Sequence, residues 1–285
     1  MWFILSLLSS FFDSLKYVTG KKVTKEIDPI VIGFSQWFFG TLIFLPFFLN
    51  NLSVKTDTGF WPVLIINAFL NALAIILFWR GVKLSDLSLA IPLITFIPIF
   101  VLIISSFLTH EIPSFFGIIG VMIIVMGAYL LNLDKKIRNV WQPFYAIIHK
   151  PGSKFILIVT ILWSFSTVLD KIAILKSNPV IYLFYLNLAT MLILLPLVLF
   201  KFVGKIKPKY FLIMLVMGVI AGMGLLTQFN AVKYTFVSYV SAIKTSSVIF
   251  TIILGHFIFK EKNIKERLSG SVVMILGALL IIFYG

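Results

Sequence analysis

Cysteine is absent from this 285-residue chain, histidine occurs three times, and only 12% of the residues are charged. The missing cysteine excludes cysteine nucleophiles and cysteine-ligated metal sites. Soluble globular domains carry about twice this charged fraction, roughly 25%. Because 60% of the residues are hydrophobic and the mean hydropathy is +1.10, we predict a polytopic membrane protein rather than a soluble globule.

Long apolar segments are abundant instead. A helix needs roughly 20 apolar residues to cross about 30 Å of hydrocarbon, and ten segments have about this length. They are 2–17, 30–50, 61–79, 87–108, 114–132, 155–175, 180–200, 210–231, 237–259 and 268–284. The fold class expected is therefore an all-α polytopic membrane protein with ten transmembrane helices.

The second half of the chain repeats the first at a constant offset of 150 residues. The register holds without a gap from residue 29 to 131. Its proline, charged and glycine matches include Pro29/Pro179, Lys83/Lys233, Glu111/Glu261, Gly120/Gly270 and Gly127/Gly277. Each unit contains five spans, and this odd number makes the second unit enter the membrane from the opposite side. We predict two inverted five-helix repeats, 1–132 and 155–285, related by a pseudo-two-fold axis in the membrane plane.

The segment 133–154 joins the two repeats. Trp141, Phe144, Tyr145 and Ile148 would share one face of a helix, with basic residues beside them. This pattern is typical of a helix lying on an anionic leaflet. A plain linker is the equally supported alternative.

Several of these residues resemble a known family. Trp163 and Ser164 followed by Lys171, the paired Glu111 and Glu261, and the paired glycines of the fifth spans together resemble the drug/metabolite transporter superfamily in its ten-helix EamA-like branch. The first span departs from the pattern, because Leu8 stands where the sixth span has Trp163. The resemblance covers nearly the whole chain and implies a permease or exporter for a small metabolite.

Inverted repeats are typical of secondary transporters, which use alternating access around a site between the repeats near the bilayer midplane. We therefore predict such a transporter, with a lipid-linked-sugar flippase or a channel as the alternative. An intramembrane enzyme is the least favoured class, since no histidines or acidic residues show metal-ligand or catalytic spacing. The sequence also lacks a phosphate-binding loop, and no cofactor is expected.

Lys244 is the clearest candidate for the substrate site, because an ionisable side chain within a span is costly and marks function. Ser241, Ser247 and Thr251 would lie on the same face of the ninth helix. An ammonium group here favours an anionic group or a carboxylate on the substrate. Asp13 in the first span and Asp170 in the sixth are the possible charge partners or coupling residues, so structural pairing and substrate binding both stay open.

Symmetry fails at this position, since the repeat-equivalent residue of Lys244 is Ile94, between Pro92 and Pro98. We expect those prolines to bend the fourth helix. We expect Glu111 and Glu261, each placed just before a helix, to complement the N-terminal dipole of that helix. The paired glycines are expected to allow close helix packing within the chain.

The partners expected are a small-molecule solute and the lipid bilayer, with protons open as a coupling ion. A monomer and a homodimer are both compatible with the sequence. Nucleic acid is not expected, because the net charge of +14 comes mostly from the connections between spans.

Nineteen of the 24 Lys and Arg residues lie in 16–25, 80–83, 135–154, 201–209 and 260–267. The positive-inside rule then places these connections in the cytoplasm and both termini outside it. The family resemblance implies the opposite orientation, in a prokaryotic plasma (inner) membrane.

Overall fold

The structure is a computed structural model, and it describes residues 1–21, 26–84, 93–132, 151–201, 208–259 and 264–285. The described residues form eleven helices: α1 (Trp2–Lys21), α2 (Pro29–Leu49), α3 (Phe60–Leu84), α4 (Ile97–Leu108), α5 (Phe115–Asn132), α6 (Pro151–Leu175), α7 (Pro179–Lys201), α8 (Pro208–Val232), α9 (Val237–Lys244), α10 (Ser247–Phe259) and α11 (Ile264–Tyr284). Because α9 and α10 share one span, the fold is an all-α membrane bundle of ten transmembrane helices in two inverted repeats.

Hydrophobicity supports membrane crossing throughout the described part of the chain. Six spans there are long and apolar enough to cross a bilayer, and three shorter apolar helices accompany them. Large apolar side chains such as Phe107, Phe200 and Phe257 are mostly exposed on the outside of the bundle. In a bilayer this surface faces lipid, so its exposure carries no cost.

Helix contacts across the bundle follow the predicted inversion. The first helix of each repeat packs on the third helix of the other, so that α1 contacts α8 and α6 contacts α3. The second helices pack on each other, as α2 on α7, and so do the last helices, as α5 on α11. Exchanging the two repeats therefore reproduces the same set of contacts.

The glycines of α5 and α11 lie where these two helices cross. A Cβ on Gly120 would come 2.9 Å from the carbonyl oxygen of Gly277, and one on Gly127 would come 2.7 Å from that of Gly270. The two contacts are repeat-equivalents of each other. Only glycine permits this close backbone approach, and the contact lies within the chain, as the sequence predicted.

The helices begin where the sequence supplies matching caps. The Asp28 carboxylate accepts a hydrogen bond from the Ile30 N–H at 2.8 Å, and the side-chain oxygen Oδ1 of Asn178 accepts one from the Ile181 N–H at 2.7 Å. Asp28 and Asn178 are repeat-equivalents, and each is followed by a proline, which suits the first position of a helix.

Two predictions about helix continuity were wrong. The ninth span is not one helix: it breaks at Thr245 and Ser246. The fourth span breaks at the equivalent Thr95 and Phe96, so the bend expected there is a break of the helix. The sixth helix starts at Pro151, within the segment predicted as linker, and the aromatic stripe from Trp141 to Ile148 lies outside the described residues.

Candidate functional site

A cavity of about 160 Å³ lies between the two repeats, beside both helix breaks. Five residues from α1, α6, α8 and α9 carry its most polar surface: Asp13, Lys16, Asp170, Gln228 and Lys244. Charged side chains at membrane depth are costly unless they pair or face a polar cavity, so these residues mark a candidate functional site.

Asp13 stands between two lysines in this cavity. Its Oδ1 is 2.6 Å from Lys16 Nζ, and its Oδ2 is 3.0 Å from Lys244 Nζ. Lys244 also donates to the side-chain carbonyl of Gln228. Asp13 is buried, whereas the Lys244 side chain stays 25% exposed. The cluster thus contains one more ammonium than carboxylate, and the partly exposed Lys244 lines the cavity.

Asp170 belongs to a second polar cluster on the other side of the cavity. Its Oδ1 accepts hydrogen bonds from Asn67 at 2.8 Å and from the Tyr182 hydroxyl at 2.7 Å. Asn67 Nδ2 also lies 2.6 Å from that hydroxyl, which closes a three-membered network. Both donors bind the same oxygen, so Asp170 Oδ2 has no donor among the described residues.

Further donors without partners line the cavity. Gln36 Nε2 and Trp37 Nε1 are buried and lack a hydrogen-bond acceptor in the described part of the chain. A buried N–H without a partner costs about 1–3 kcal/mol. Two such donors beside a cavity indicate that a solute or water supplies the acceptors.

The helix breaks at the cavity are closed by hydroxyl groups from the opposite repeat. The Ser10 hydroxyl donates to the carbonyl oxygens of Ile243 at 3.1 Å and Lys244 at 3.2 Å. The Thr160 hydroxyl donates to the carbonyl oxygen of Leu93 at 3.2 Å. These pairs are repeat-equivalents at the offset of 150, so the structure extends this offset into the first span, where the sequence comparison had aligned Leu8 with Trp163 at an offset of 155. They provide part of the hydrogen bonding that a broken helix needs inside a bilayer.

The candidates from the sequence are only partly brought together. Lys244, Ser241 and Ser247 line the cavity, whereas Thr251 is not among its lining residues and donates to the Ser247 carbonyl at 2.7 Å. The break after Lys244 removes the continuous helical face that had grouped all four. Of the two possible charge partners, Asp13 forms the ion pair with Lys244, and Asp170 bonds to Asn67 and Tyr182 instead.

Sequence reasoning missed Lys16, which it counted among the basic residues of the connections. Helix α1 continues to Lys21, and this places Lys16 three residues after Asp13 on one helical face, within the span. The spacing of three was visible in the sequence and is the signal that could have found the pair. Trp37 and Gln36 carried no comparable signal, because many aromatic and amide residues in spans only pack or bond between helices.

A second set of polar contacts closes one end of the bundle. We call this end the lysine-poor face; it carries the α2–α3, α4–α5, α6–α7 and α8–α9 connections. Lys171 pairs with Glu111 and donates to the Thr235 carbonyl at 2.7 Å, and Glu111 also accepts from the Val237 N–H at 2.9 Å. Glu111 therefore caps α9 of the other repeat. The prediction that it caps the helix that follows it in the chain was wrong. Glu261 lies outside the described residues.

An exposed ion pair reinforces the same face. Lys176 Nζ lies 3.0 Å from Asp57 Oδ2, and the Asp57 N–H donates to the Lys176 carbonyl at 3.0 Å. The hydrogen bond from Lys176, together with that from the Thr58 N–H, holds the pKa of Asp57 below its usual value. Both contacts connect the first repeat to the second.

Known proteins similar to this chain identify its family. The model of the EamA-like transporter family matches residues 1–133 and 150–283. An S-adenosylmethionine uptake transporter of Rickettsia conorii is 25% identical over 99% of this chain and 91% of its own length. An uncharacterized transporter of Archaeoglobus fulgidus is 22% identical, over 98% and 97% respectively. A protein of known crystal structure shares the fold, with a TM-score of 0.78 at 13% identity, over 98% of this chain and 95% of that one. The chain is therefore a membrane transporter, not an enzyme, and belongs to the EamA-like transporter family of the drug/metabolite transporter superfamily.

Proposed function

We propose that this protein is a secondary transporter that carries a small zwitterionic metabolite by alternating access, with its substrate site in the cavity between the repeats. The observation that carries the proposal is the Lys16–Asp13–Lys244 cluster, placed at a helix break and open to the cavity. Its excess ammonium group attracts a carboxylate. Asp13 holds both lysines in place by ion pairs when the cavity contains no substrate.

The two polar clusters give the proposed site two poles. A substrate carboxylate binds at Lys244, with Ser241 and Ser247 beside it and the free N–H groups of Gln36 and Trp37 as further donors. A cationic group of the same substrate binds at the unpartnered oxygen of Asp170. Thr251, which does not line the cavity, is left out of the proposed site.

S-adenosylmethionine is the first substrate to test. The Rickettsia conorii relative is named as an uptake transporter for it. This molecule carries a carboxylate, an ammonium and a sulfonium group within a few bonds of each other, and an adenine ring that stacks on aromatic side chains. Trp37 and Trp163 line the cavity and offer such rings. A sulfonium cation is also attracted by aromatic faces.

Alternating access requires that the two faces close in turn. On the lysine-poor face, Glu111, Lys171 and the start of α9 are joined in the present conformation. We therefore propose that the Glu111–Lys171 pair is a gate, which closes the lysine-poor face and opens in the course of transport.

Counterflow in proteoliposomes tests the transport proposal. We expect saturable uptake of radiolabelled S-adenosylmethionine, accelerated by unlabelled S-adenosylmethionine inside the vesicles. A channel would show no such acceleration, and a lipid-linked-sugar flippase would not move the solute at all. Repeating the assay with an imposed pH gradient, with and without a protonophore, tests whether protons are the coupling ion.

Glu111→Gln tests the gate. The neutral amide cannot replace the carboxylate opposite Lys171, so we expect the lysine-poor face to open more often. A cysteine replacing Ser241 in the cavity would then react faster with a thiol reagent applied from that face. Unchanged reactivity of this cysteine would contradict the proposed gate.

We further propose that the protein lies in a prokaryotic plasma membrane with both termini outside the cytoplasm, since 18 of its 24 basic residues belong by sequence to the connections at the opposite end, with Lys16 now assigned to the cavity. The chain has no cysteine, so single cysteines report directly. Ser53 is exposed in the α2–α3 connection, and Ser53→Cys should react with an impermeant thiol reagent in intact cells. Asn139→Cys, in the predicted linker, should react only after permeabilisation. The reverse pattern would overturn this orientation.

A further inference from the structure

A second cavity, of about 190 Å³, lies away from the proposed substrate site, between α1, α10 and α11. We call it the lateral pocket; its lining is almost entirely apolar and includes Leu7, Ser246, Ile249, Phe250 and Leu279. It extends from the helix break at Ser246 towards Phe3 in the first turn of α1 and Ile282 near the end of α11. The pocket therefore occupies the half of the span that ends at the lysine-poor face.

The lateral pocket opens onto the surface that faces lipid. Ile275, Leu279 and Ile282 line it and are 53%, 43% and 39% exposed. On a membrane-spanning bundle this exposed apolar surface is in contact with acyl chains. The pocket is thus continuous with the protein–lipid boundary. An apolar cavity of this size excludes water and can take an apolar ligand.

The repeat shows what the same place contains in the other half of the protein. The equivalents of Ser246 and Leu279 are Phe96 and Tyr129, and their rings are in T-shaped contact with centroids 5.4 Å apart. In the first repeat, two aromatic rings therefore occupy positions at which the second repeat has a hydroxymethyl and an isobutyl group. The loss of these rings beside the break of the ninth span accounts for the space.

We propose that the lateral pocket is a lipid site that takes an acyl chain of a membrane phospholipid from the leaflet on the lysine-poor face. The bound chain supplies the apolar contacts that Phe96 and Tyr129 supply in the first repeat. It packs against Ser246, which directly follows the cavity-lining Thr245. Occupancy of the lipid site therefore supports the broken span next to Lys244.

Photo-crosslinking tests the proposal. The full-length protein is reconstituted in phosphatidylcholine that contains a small fraction of lipid with a diazirine on one acyl chain, and labelled peptides are identified by mass spectrometry. We expect labelling of α10 and α11 pocket residues well above that of Ile65, Ile66 and Phe69, which are exposed on α3 and serve as the reference surface. Labelling of the pocket no stronger than that of the reference would overturn the proposal.

Variants that exchange the two halves make the test specific. In Ser246→Phe/Leu279→Tyr the first repeat's rings fill the lipid site. We expect pocket labelling to fall to the level of the α3 reference surface, because the two rings occupy the space of the acyl chain, with α3 labelling itself unchanged. The reverse variant, Phe96→Ser/Tyr129→Leu, should gain labelling in α4 and α5. If the double variant does not fold, Ser246→Phe alone is used. Pocket labelling that does not fall in Ser246→Phe, or labelling of α4 and α5 that does not rise in the reverse variant, would also overturn the proposal.

Discussion

The fourth and ninth spans show how two copies of one sequence have diverged. Both break at equivalent residues, and in both a hydroxyl from the opposite repeat bonds to a carbonyl at the break. Their side chains at the cavity differ: the fourth span presents Ile94, and the ninth presents Lys244. The duplication preserved the backbone geometry that forms a cavity, while only one copy acquired the charge. The fold and the charge at the cavity are therefore set by different residues of the same repeat.

Replacing Lys244 should give the largest effect. We expect Lys244→Met to reduce S-adenosylmethionine uptake by about 30-fold to several thousandfold, because losing one partner of a buried charge pair costs about 2–5 kcal/mol. Initial uptake rates in proteoliposomes give the measurement. Ile94→Met at the equivalent position is the matched control, for which we expect less than about threefold reduction, since a volume-conserving apolar exchange is cheap. Equal losses of uptake in Lys244→Met and Ile94→Met would show that the loss does not depend on the charge of Lys244.

Asp170 provides the second asymmetry, because its repeat-equivalent is Gly20. We expect Asp170→Asn to raise the KM for S-adenosylmethionine by about tenfold or more, since a hydrogen bond to a charged group contributes about 1.5–3 kcal/mol. The kcat should change less. Tyr182→Phe, which removes one donor to Asp170, should mainly lower thermal stability. If Asp170→Asn lowers stability and leaves KM unchanged, Asp170 is only a packing residue.

The glycine crossing should behave symmetrically, in contrast to the cavity. Gly127→Ala and Gly277→Ala would each force a Cβ to within 2.7–2.8 Å of a backbone oxygen on the facing helix. We expect each to destabilise the fold by about 1–3 kcal/mol, as overpacking does. Thermal unfolding in detergent, followed by tryptophan fluorescence, should show similar losses for the two. Gly224→Ala is the control, since its nearest contact is a side chain at 3.3 Å. Clearly unequal losses would argue against the two-fold relation at this crossing.

The hydroxyls at the breaks should give smaller effects. Ser10→Ala and Thr160→Val each remove a hydrogen bond across the two repeats, and we expect each to cost about 0.5–1.5 kcal/mol of stability. Ser10 serves the carbonyl of Lys244, so its variant should also slow transport more than the Thr160 variant does. Uptake rates and thermal unfolding of the same preparations separate these effects. The opposite ranking in transport would mean that the two breaks do not differ in function.

The smallest effect is expected at the exposed pair that connects the repeats. Asp57 and Lys176 lie at the surface, where water screens an ion pair. The pKa of Asp57 is lowered, so the pair contributes above the usual carboxyl range and is lost only as the pH falls through that lowered value. Asp57→Asn should therefore lower the unfolding temperature by less than Glu111→Gln at neutral pH. A larger loss for Asp57→Asn would overturn this ranking of the two contacts on the lysine-poor face.

Much of the molecule was predictable from composition and repetition alone. Ten spans, their inversion and the close glycine packing follow from apolar length, an odd number of spans per unit and the spacing of Gly120 and Gly127. The break of the ninth span was not predictable, since Thr245 and Ser246 are ordinary in an apolar helix. The Ser10 hydroxyl, which donates to a carbonyl at this break, lies more than two hundred residues away in the chain.

The sequence by itself determined the solvent, the number of spans and the place where symmetry fails, because hydrophobic length and repeat register are properties of the chain alone. Only the tertiary structure decided which charges meet. Lys244 had two candidate carboxylates, and the packing of α1 against α8, α9 and α10 brought it to Asp13, while α3 and α7 supplied Asp170 with Asn67 and Tyr182. Ion pairs form over a few ångströms between distant segments, and no local pattern specifies that distance.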